Sequence, residues 1–437
     1  MENNNQRIKV IDSPVGTGKT SWAIEYCNNL PEDQKIIYIT PFLSECERMQ
    51  NGCPNRKFVQ PQVHLGYGRK RNHFLNLIRK EENIASTHSL FSMIDDEIIA
   101  ALRSTNYILI LDEAFQVLDG FDMWEELPQN TNKEYKTNLT QNNMRSLINK
   151  NFVQVDNDYK VNWIDTENPI DKYASLKRLA DRGLIYLIND SLLLWTFPYE
   201  IFMPGIFNEI FILTYLFDWQ IQKYYYDYFK IQYGKFHIEK INDKYTMIET
   251  VDYQYEKDWK RNAIQLIDIL DHYKLNKIGD VYCDKNGRSF DTALSKTWYA
   301  NNESEIPQMR NNIINYFKNI THSNVANRMW TCFEPDKKKF KDKNLLTNDK
   351  KYWVALNSRS TNNFGHKSVL AYPLNRFVNP FYDDFFEVRN IKINQDGFAI
   401  SEFIQWIWRS RIRNNQSIQI YIPSFRMRNL LIDFLNL

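Results

Sequence analysis

Glycine is scarce in this chain, at 13 of 437 residues, and no internal repeat or low-complexity tract follows the initial run of asparagine. Cysteine is scarcer still. The five cysteines, Cys27, Cys46, Cys53, Cys283 and Cys332, are odd in number, scattered and without CxxC spacing. That pattern argues for a reducing compartment and against a zinc module. No run of 18 apolar residues occurs, and residues 1–7 are polar with no apolar h-region, so neither a membrane span nor a secretory leader is expected. The expected location is the cytoplasm. Charge of one sign is also missing: 55 basic residues against 53 acidic leave a formal +2, so no global basic field announces a nucleic-acid partner. Any such site must be local.

What remains is an ordinary globular composition. Hydrophobic residues make up 43% and charged residues 25%, and 437 residues have room for two or three domains with a sizeable core. Aromatics are high at 15%, and the abundance of Asn, Ile, Lys and Tyr fits an AT-rich genome.

Over residues 7–150 the pattern is strand, loop, helix, repeated. Residues 8–11 read as a short buried strand, 13–19 as its loop and 20–30 as a helix stopped by Pro31. Further short apolar or β-branched runs at 35–40, 83–87 and 107–111 alternate with helical stretches at 42–50 and 71–79. Alternation of this kind predicts an α/β fold with a parallel sheet flanked by helices, whose ligands bind at the carboxyl ends of the strands. A polar stretch at 129–158 interrupts the rhythm, and strands return at 192–197 and 210–214, followed by an aromatic-rich helical segment at 218–233. A second α/β region is expected after a boundary near 236–256, with strands at 277–282, 328–333, 352–357 and 418–423. The Lys/Asp-dominated stretch at 335–351 reads as a solvated loop. The expected division is 1–245, with an insertion around 119–190, and 246–437.

Two segments carry chemistry. In Ser13-Pro14-Val15-Gly16-Thr17-Gly18-Lys19-Thr20, the glycines let successive backbone N–H groups point into one concavity, and the next helix offers its positive end to a phosphate. Ser13, Gly16, Thr17, Gly18, Lys19, Thr20 and Ser21 are therefore the candidate ATP contacts. Lys19 is expected to reach the β- and γ-phosphates and the Thr20 hydroxyl to ligate Mg²⁺. Ser13 stands where the usual motif has its first glycine. Downstream, the apolar strand ending in Leu111 delivers Asp112-Glu113-Ala114-Phe115. Asp112 would hold Mg²⁺ through water, and Glu113 would polarise the attacking water as general base.

With Asp-Glu-Ala-Phe after that loop, the chain resembles the superfamily 2 helicases of the DEAD/DEAH-like type, of the kind encoded by bacterial phages and mobile elements. The resemblance implies two RecA-like domains with the ATP site in the cleft between them. Thr40-Pro41 resembles motif Ia and Thr87-His88 the segment before the DEAD box, which implies contacts to a nucleic-acid backbone. Thr214 occupies the place of motif III and would couple hydrolysis to domain movement. Gln405 and Arg409 keep the spacing of motif VI on a helix at 402–413, and the second arginine of that motif would be Arg411 or Arg413. A basic surface helix with Trp406 and Trp408 packed beneath its arginines is the plainer alternative. Residues 352–363 sit where motif V belongs.

The function these features imply is an ATP-dependent helicase or translocase on single-stranded or tailed nucleic acid, DNA ahead of RNA, in phage-type replication or recombination. Replication or recombination proteins are its expected partners and a membrane is not. The alternative is a P-loop ATPase that packages or remodels without unwinding, such as a terminase-like motor. For that class Asp383, Asp384 and Glu387 are the one acidic cluster to consider, and a solvated loop is the simpler account of them.

Overall fold

The computed structural model describes residues 6–120, 123–125, 135–137, 141–165, 173–189, 192–283, 286–342, 345, 352–356 and 362–436. Its centre is a seven-stranded sheet. The strands are β1 (Ile8–Asp12), β2 (Lys35–Thr40), β3 (Ile84–Thr87), β4 (Tyr107–Asp112), β5 (Glu209–Thr214), β6 (Gly234–Ile241) and β7 (Lys244–Glu249), in the order β7-β6-β1-β5-β4-β2-β3. All pair in parallel except β7, which runs antiparallel to β6. The interior strands are buried on both faces, as β4 is along its whole length, so they read as continuous apolar runs without alternation.

β6 and β7 extend the first sheet into the range where the boundary was expected. Asn242 and Asp243 both adopt left-handed backbone, at φ 48° and 61°, and join Ile241 to Lys244 in a two-residue hairpin. The division at 245/246 therefore falls inside β7, and the first sheet continues to Glu249. Residues 192–197 are likewise not part of the parallel sheet. Leu192–Thr196 lies between Ile185–Ile188 and Leu118–Gly120 in an antiparallel three-stranded sheet. Residues 141–165 and 173–189 pack as helices and short strands around Met144, Leu147, Leu176 and Ile185. Of the polar stretch, residues 129–134 and 138–140 lie outside the described residues.

The second half carries a smaller parallel sheet of β8 (Ile267–Ile269), β9 (Arg328–Trp330), β10 (Val369–Ala371) and β11 (Ile418–Tyr421), in the order β8-β11-β10-β9. Two expected strands are absent as such. Residues 277–279 form a 3-10 turn because Gly279 is pressed against the end of β11, where a Cβ would come within 2.3 Å of the Pro423 carbonyl oxygen. Among the described residues Tyr282–Cys283 then pairs only with Ser289–Phe290. Residues 352–356 reach the sheet through a single bridge, Trp353 to Trp330, because side chains claim their other carbonyls: Trp406 Nε1 donates to Val354 and Arg409 to Ala355 and Leu356. Residues 357–361 of that segment lie outside the described residues, as do 343, 344 and 346–351 of the Lys/Asp-rich stretch. The part of that stretch within 334–340 is a 3-10 helix with Phe340 buried, so it is anchored where a wholly solvated loop was expected. Among the described residues no helix is long and apolar enough to cross a membrane.

The two halves share core. Tyr215 and Leu216, directly after β5, belong to the apolar cluster of the second sheet. Trp259 lies between Tyr215 and Trp408, at centroid distances of 5.4 and 4.5 Å. Gly397 admits the ring of Trp219, which stands within 2.4 Å of where a Cβ would be.

Candidate nucleotide site

The loop from Ser13 to Gly18 leaves the carboxyl end of β1 and enters the helix Lys19–Asn29. Gly16 and Gly18 take φ of 91° and 98°, which side chains with a Cβ rarely adopt, and this curls the loop around its own amides. Lys19 Nζ donates to the carbonyls of Ser13 at 2.7 Å and Pro14 at 3.2 Å, spanning the concavity. Burial of the ammonium pushes its pKa below the ordinary lysine value, and the carboxylates of Glu113, Asp112 and Asp12 oppose this. Thr17 closes the loop by donating to the Pro14 carbonyl at 2.8 Å.

Asp112 ends β4 and is buried. Its Oδ2 accepts from Thr20 Oγ1 at 3.3 Å and from the Tyr38 hydroxyl at 2.5 Å. Burial raises its pKa, an effect opposed by Tyr38 and then by Lys19. A hydroxyl and a carboxylate at this spacing beside a phosphate cradle suit Mg²⁺, which keeps several waters and takes few protein ligands. Glu113 follows in a left-handed conformation at φ 72°, rare for a residue with a Cβ and a form of strain that concentrates at functional sites. Its amide donates to the Leu213 carbonyl at 2.8 Å.

One cavity is lined by Gly16, Gly18, Lys19, Thr20 and Ser21 together with Asp112 and Glu113 from the first half and Gln405, Arg409 and Arg413 from the second. The helix carrying Gln405 runs Gln395–Ile407 and is buried along most of its length, so the surface-helix alternative does not describe it. The arginines are not on that helix. The helix ends at Ile407 with Trp408 as its cap; Ser410 follows in extended backbone, its hydroxyl donating to the Ile407 carbonyl, and begins a 3-10 turn at Arg411–Asn414. Arg411 faces the Ser417 carbonyl, whereas Arg413 reaches the cavity and its backbone carbonyl sits against Gly16. Burial lowers the Arg413 pKa, with Glu45 opposing and Arg48 reinforcing the shift. Arg409 borders the same cavity but is 4% exposed, and Nη1 and Nη2 donate to the carbonyls of Ala355 and Leu356 at 2.8 and 2.9 Å. Through these bonds it holds residues 355 and 356 in place at the edge of the cavity.

Other expected contacts fall differently. The Ser13 hydroxyl accepts from the Ile238 amide at 2.7 Å, so its side chain ties the loop to β6 and does not face the phosphate concavity. Thr40 is fully buried and its hydroxyl has no partner among the described residues, which removes it from any exposed backbone-binding surface. Pro41 and Thr87 are half-buried at the carboxyl ends of β2 and β3. His88 Nε2 lies 3.1 Å from the Asp112 carbonyl, and its ring meets Phe115 edge-on, so it is bound to the acidic motif. Asp383 and Asp384, within the helix Pro380–Glu387, accept from Gln395 and Asn189.

Thr214 is buried, and its hydroxyl donates to Gln220 at 3.0 Å. The end of β5 does more through its backbone: Thr214 accepts from the Ser13 amide at 3.0 Å while Leu213 accepts from Glu113. One strand thus holds the phosphate loop and the acidic motif, and its next residues enter the core of the other half.

Asp12, not singled out from sequence, joins this group. Its carboxylate accepts from the amides of Leu216 and Phe217 at 2.7 and 3.0 Å, and burial, with Asp218 and Glu256 nearby, raises its pKa to about 7 despite those bonds. The folded chain therefore keeps this proton to higher pH than the unfolded chain. Its contribution to stability is fully present below the ordinary aspartate value and is lost as pH rises toward about 7, by at most roughly 4 kcal/mol. Melting temperatures of wild type and Asp12→Asn between pH 4 and 8 should show wild type losing several degrees relative to the variant up to pH about 7, then a constant difference. A difference independent of pH would contradict the assignment.

Tyr245, Glu45 and Arg48 also line the cavity and were missed. The Asn242-Asp243 pair between two alternating runs was the available signal for the hairpin that carries Tyr245.

Comparison with known proteins gives the family and the fold. A family model described as the YonV C-terminal Rossmann-like domain matches residues 261–435, and one described as the YonV middle domain matches residues 134–195. The SPbeta prophage-derived uncharacterized protein YonV of Bacillus subtilis (strain 168) is 39% identical over 433 residues, covering 98% of this chain and 99% of that protein. Among solved structures, one named XPD_APO superposes with a TM-score of 0.52 at 13% identity, covering 99% of this chain and 96% of that one. An Xpd4 structure from S. tokodaii gives 0.46 at 11% identity over 98% and 94% of the two chains, too distant to bear on the fold. At the level of fold, the chain is α/β with the mostly parallel, helix-flanked sheets of the XPD-like two-domain arrangement.

Proposed function

The chain belongs to the YonV family, and we propose that it is a nucleic-acid-stimulated ATPase that moves along or unwinds single-stranded or tailed nucleic acid, DNA in phage-type replication or recombination. The observation that carries this reading is the single cavity shared by Lys19, Thr20, Asp112 and Glu113 on one side and Gln405 and Arg413 on the other. A site divided between two halves hydrolyses only when they close, which is what converts turnover into movement. Residues up to 249 form the first motor domain in this proposal, with the insertion around 119–190, and the remainder forms the second.

ATP would lie with its phosphates on the amides of Gly16 to Lys19. Thr20 and Asp112 would hold Mg²⁺, which when bound neutralises charge between the β- and γ-phosphates. Lys19 would exchange the Ser13 and Pro14 carbonyls for phosphate oxygens. Glu113 would take the proton of the attacking water, and Arg413 would stabilise charge on the transferring phosphoryl group. Arg409 would keep residues 352–356 in place behind it. The connection through Leu213, Thr214, Tyr215 and Leu216 supports coupling between the phosphate end and the second half. Pro41, Thr87 and His88 remain the nucleic-acid contacts of this proposal, and His88 would in addition link that surface to the Asp112 carbonyl.

Phosphate release measured with single-stranded DNA, duplex DNA and RNA, followed by strand displacement on tailed duplexes, tests it. Stimulation by a single strand with displacement is the expected result. Stimulation without displacement would identify a translocase or remodelling switch, and no hydrolysis with any polymer would overturn the proposal.

A further inference from the structure

We propose that the Tyr245 ring is the stacking platform for the nucleobase of the bound triphosphate, and that it makes the site favour a purine. The proposal rests on the triphosphate reading of the loop given above.

The position of the ring carries the inference. In the sheet order, β4 lies two strands from β1 on one side and brings Asp112 and Glu113; β7 lies two strands away on the other and brings Tyr245. A triphosphate whose γ end points toward Glu113 and Arg413 must leave the loop toward the opposite side, over the first turn of the helix Lys19–Asn29. Tyr245 stands there. It lines the same cavity as Ser21, and its amide donates to the Glu25 carboxylate, one turn further along that helix, at 3.2 Å.

The ring also lies directly on the phosphate loop. A Cβ at Gly18 would fall 2.1 Å from Tyr245 Cε1 and 2.7 Å from Cδ1, so Gly18 is needed for this close approach as well as for its φ of 98°. The ring is held from behind, since Tyr245 packs against the apolar cluster of Ile11, Trp22 and Phe236. The hairpin turn at Asn242 and Asp243 fixes it further, pairing Tyr245 with Lys240 across the strands. A preordered aromatic face at the mouth of a phosphate cradle is a base-stacking surface, and purines offer it more area than pyrimidines.

The test is binding of the β,γ-imido analogues of ATP and UTP, and of inorganic tripolyphosphate, to wild type, Tyr245→Ala and Tyr245→Phe. Tyr245→Ala should weaken the ATP analogue about tenfold and the UTP analogue less, with Tyr245→Phe close to wild type. Tripolyphosphate, which has no base, should bind all three alike. Equal loss for both nucleotides would overturn the purine preference. Unchanged ATP-analogue binding in Tyr245→Ala, or a parallel loss of tripolyphosphate, would overturn the platform and leave Tyr245 as a support for Gly18. A wild type that binds neither nucleotide nor tripolyphosphate would overturn the triphosphate reading itself.

Discussion

A Glu113→Gln protein is expected to bind ATP with Mg²⁺ but to release phosphate at least about a hundredfold more slowly than wild type, and Lys19→Ala to lose turnover by a similar or larger factor. The two losses have different origins. Glutamine keeps the shape of Glu113, and the strained backbone at φ 72° is held by the Leu213 carbonyl, which the substitution leaves in place. What disappears is the ability to accept a proton. Lys19→Ala instead removes the cation that spans the concavity, so affinity for the analogue should fall along with rate. Steady-state phosphate release at saturating single-stranded nucleic acid, beside analogue titration, separates them. Turnover at the wild-type rate in either protein would remove that residue from its assigned role.

Arg413→Ala should lower kcat by about a thousandfold while leaving analogue binding within a few-fold, because an arginine that completes a phosphoryl-transfer site acts mainly on the transition state. Arg411→Ala should turn over nearly as wild type does, since its guanidinium faces the Ser417 carbonyl. Arg409→Ala should behave in a third way. It leaves the Ala355 and Leu356 carbonyls without their donors, at a cost of about 1–3 kcal/mol, so its melting temperature should fall together with its rate. Arg413→Lys should not restore full activity, because a point charge does not reproduce the planar fork. Equal losses in Arg411→Ala and Arg413→Ala at unchanged stability would contradict the geometry of the 3-10 turn.

The features legible in the sequence were those set by local pattern. β1, the glycine-bearing loop and the following helix are contiguous, and β4 announces itself by six buried residues ending in Asp112. The hairpin of β6 and β7 was not legible in the same way. His237, Glu239, Lys240 and Lys244 make it resemble a linker, and only pairing with β1 gives it a place in the sheet. The arginine turn was hidden for a similar reason. Motif spacing left Arg411 and Arg413 both open as the second arginine, and it is the 3-10 turn after Ser410 that brings Arg413 to the cavity. Thr40 shows the opposite failure, a motif position whose side chain the fold buries. Tyr245 and Asp12 act through contacts more than 200 positions away along the chain, with Gly18 and Leu216, which no window of sequence spans.

In the proposed function, one γ-phosphate site draws on both halves of the chain. The decisive experiment uses an ATP analogue carrying a photoreactive group on its γ-phosphate, cross-linked to the whole protein and mapped by peptide mass. Label competed by ATP should appear on peptides from residues 13–21 and from residues 405–413. Competed label confined to the first half would contradict the shared site.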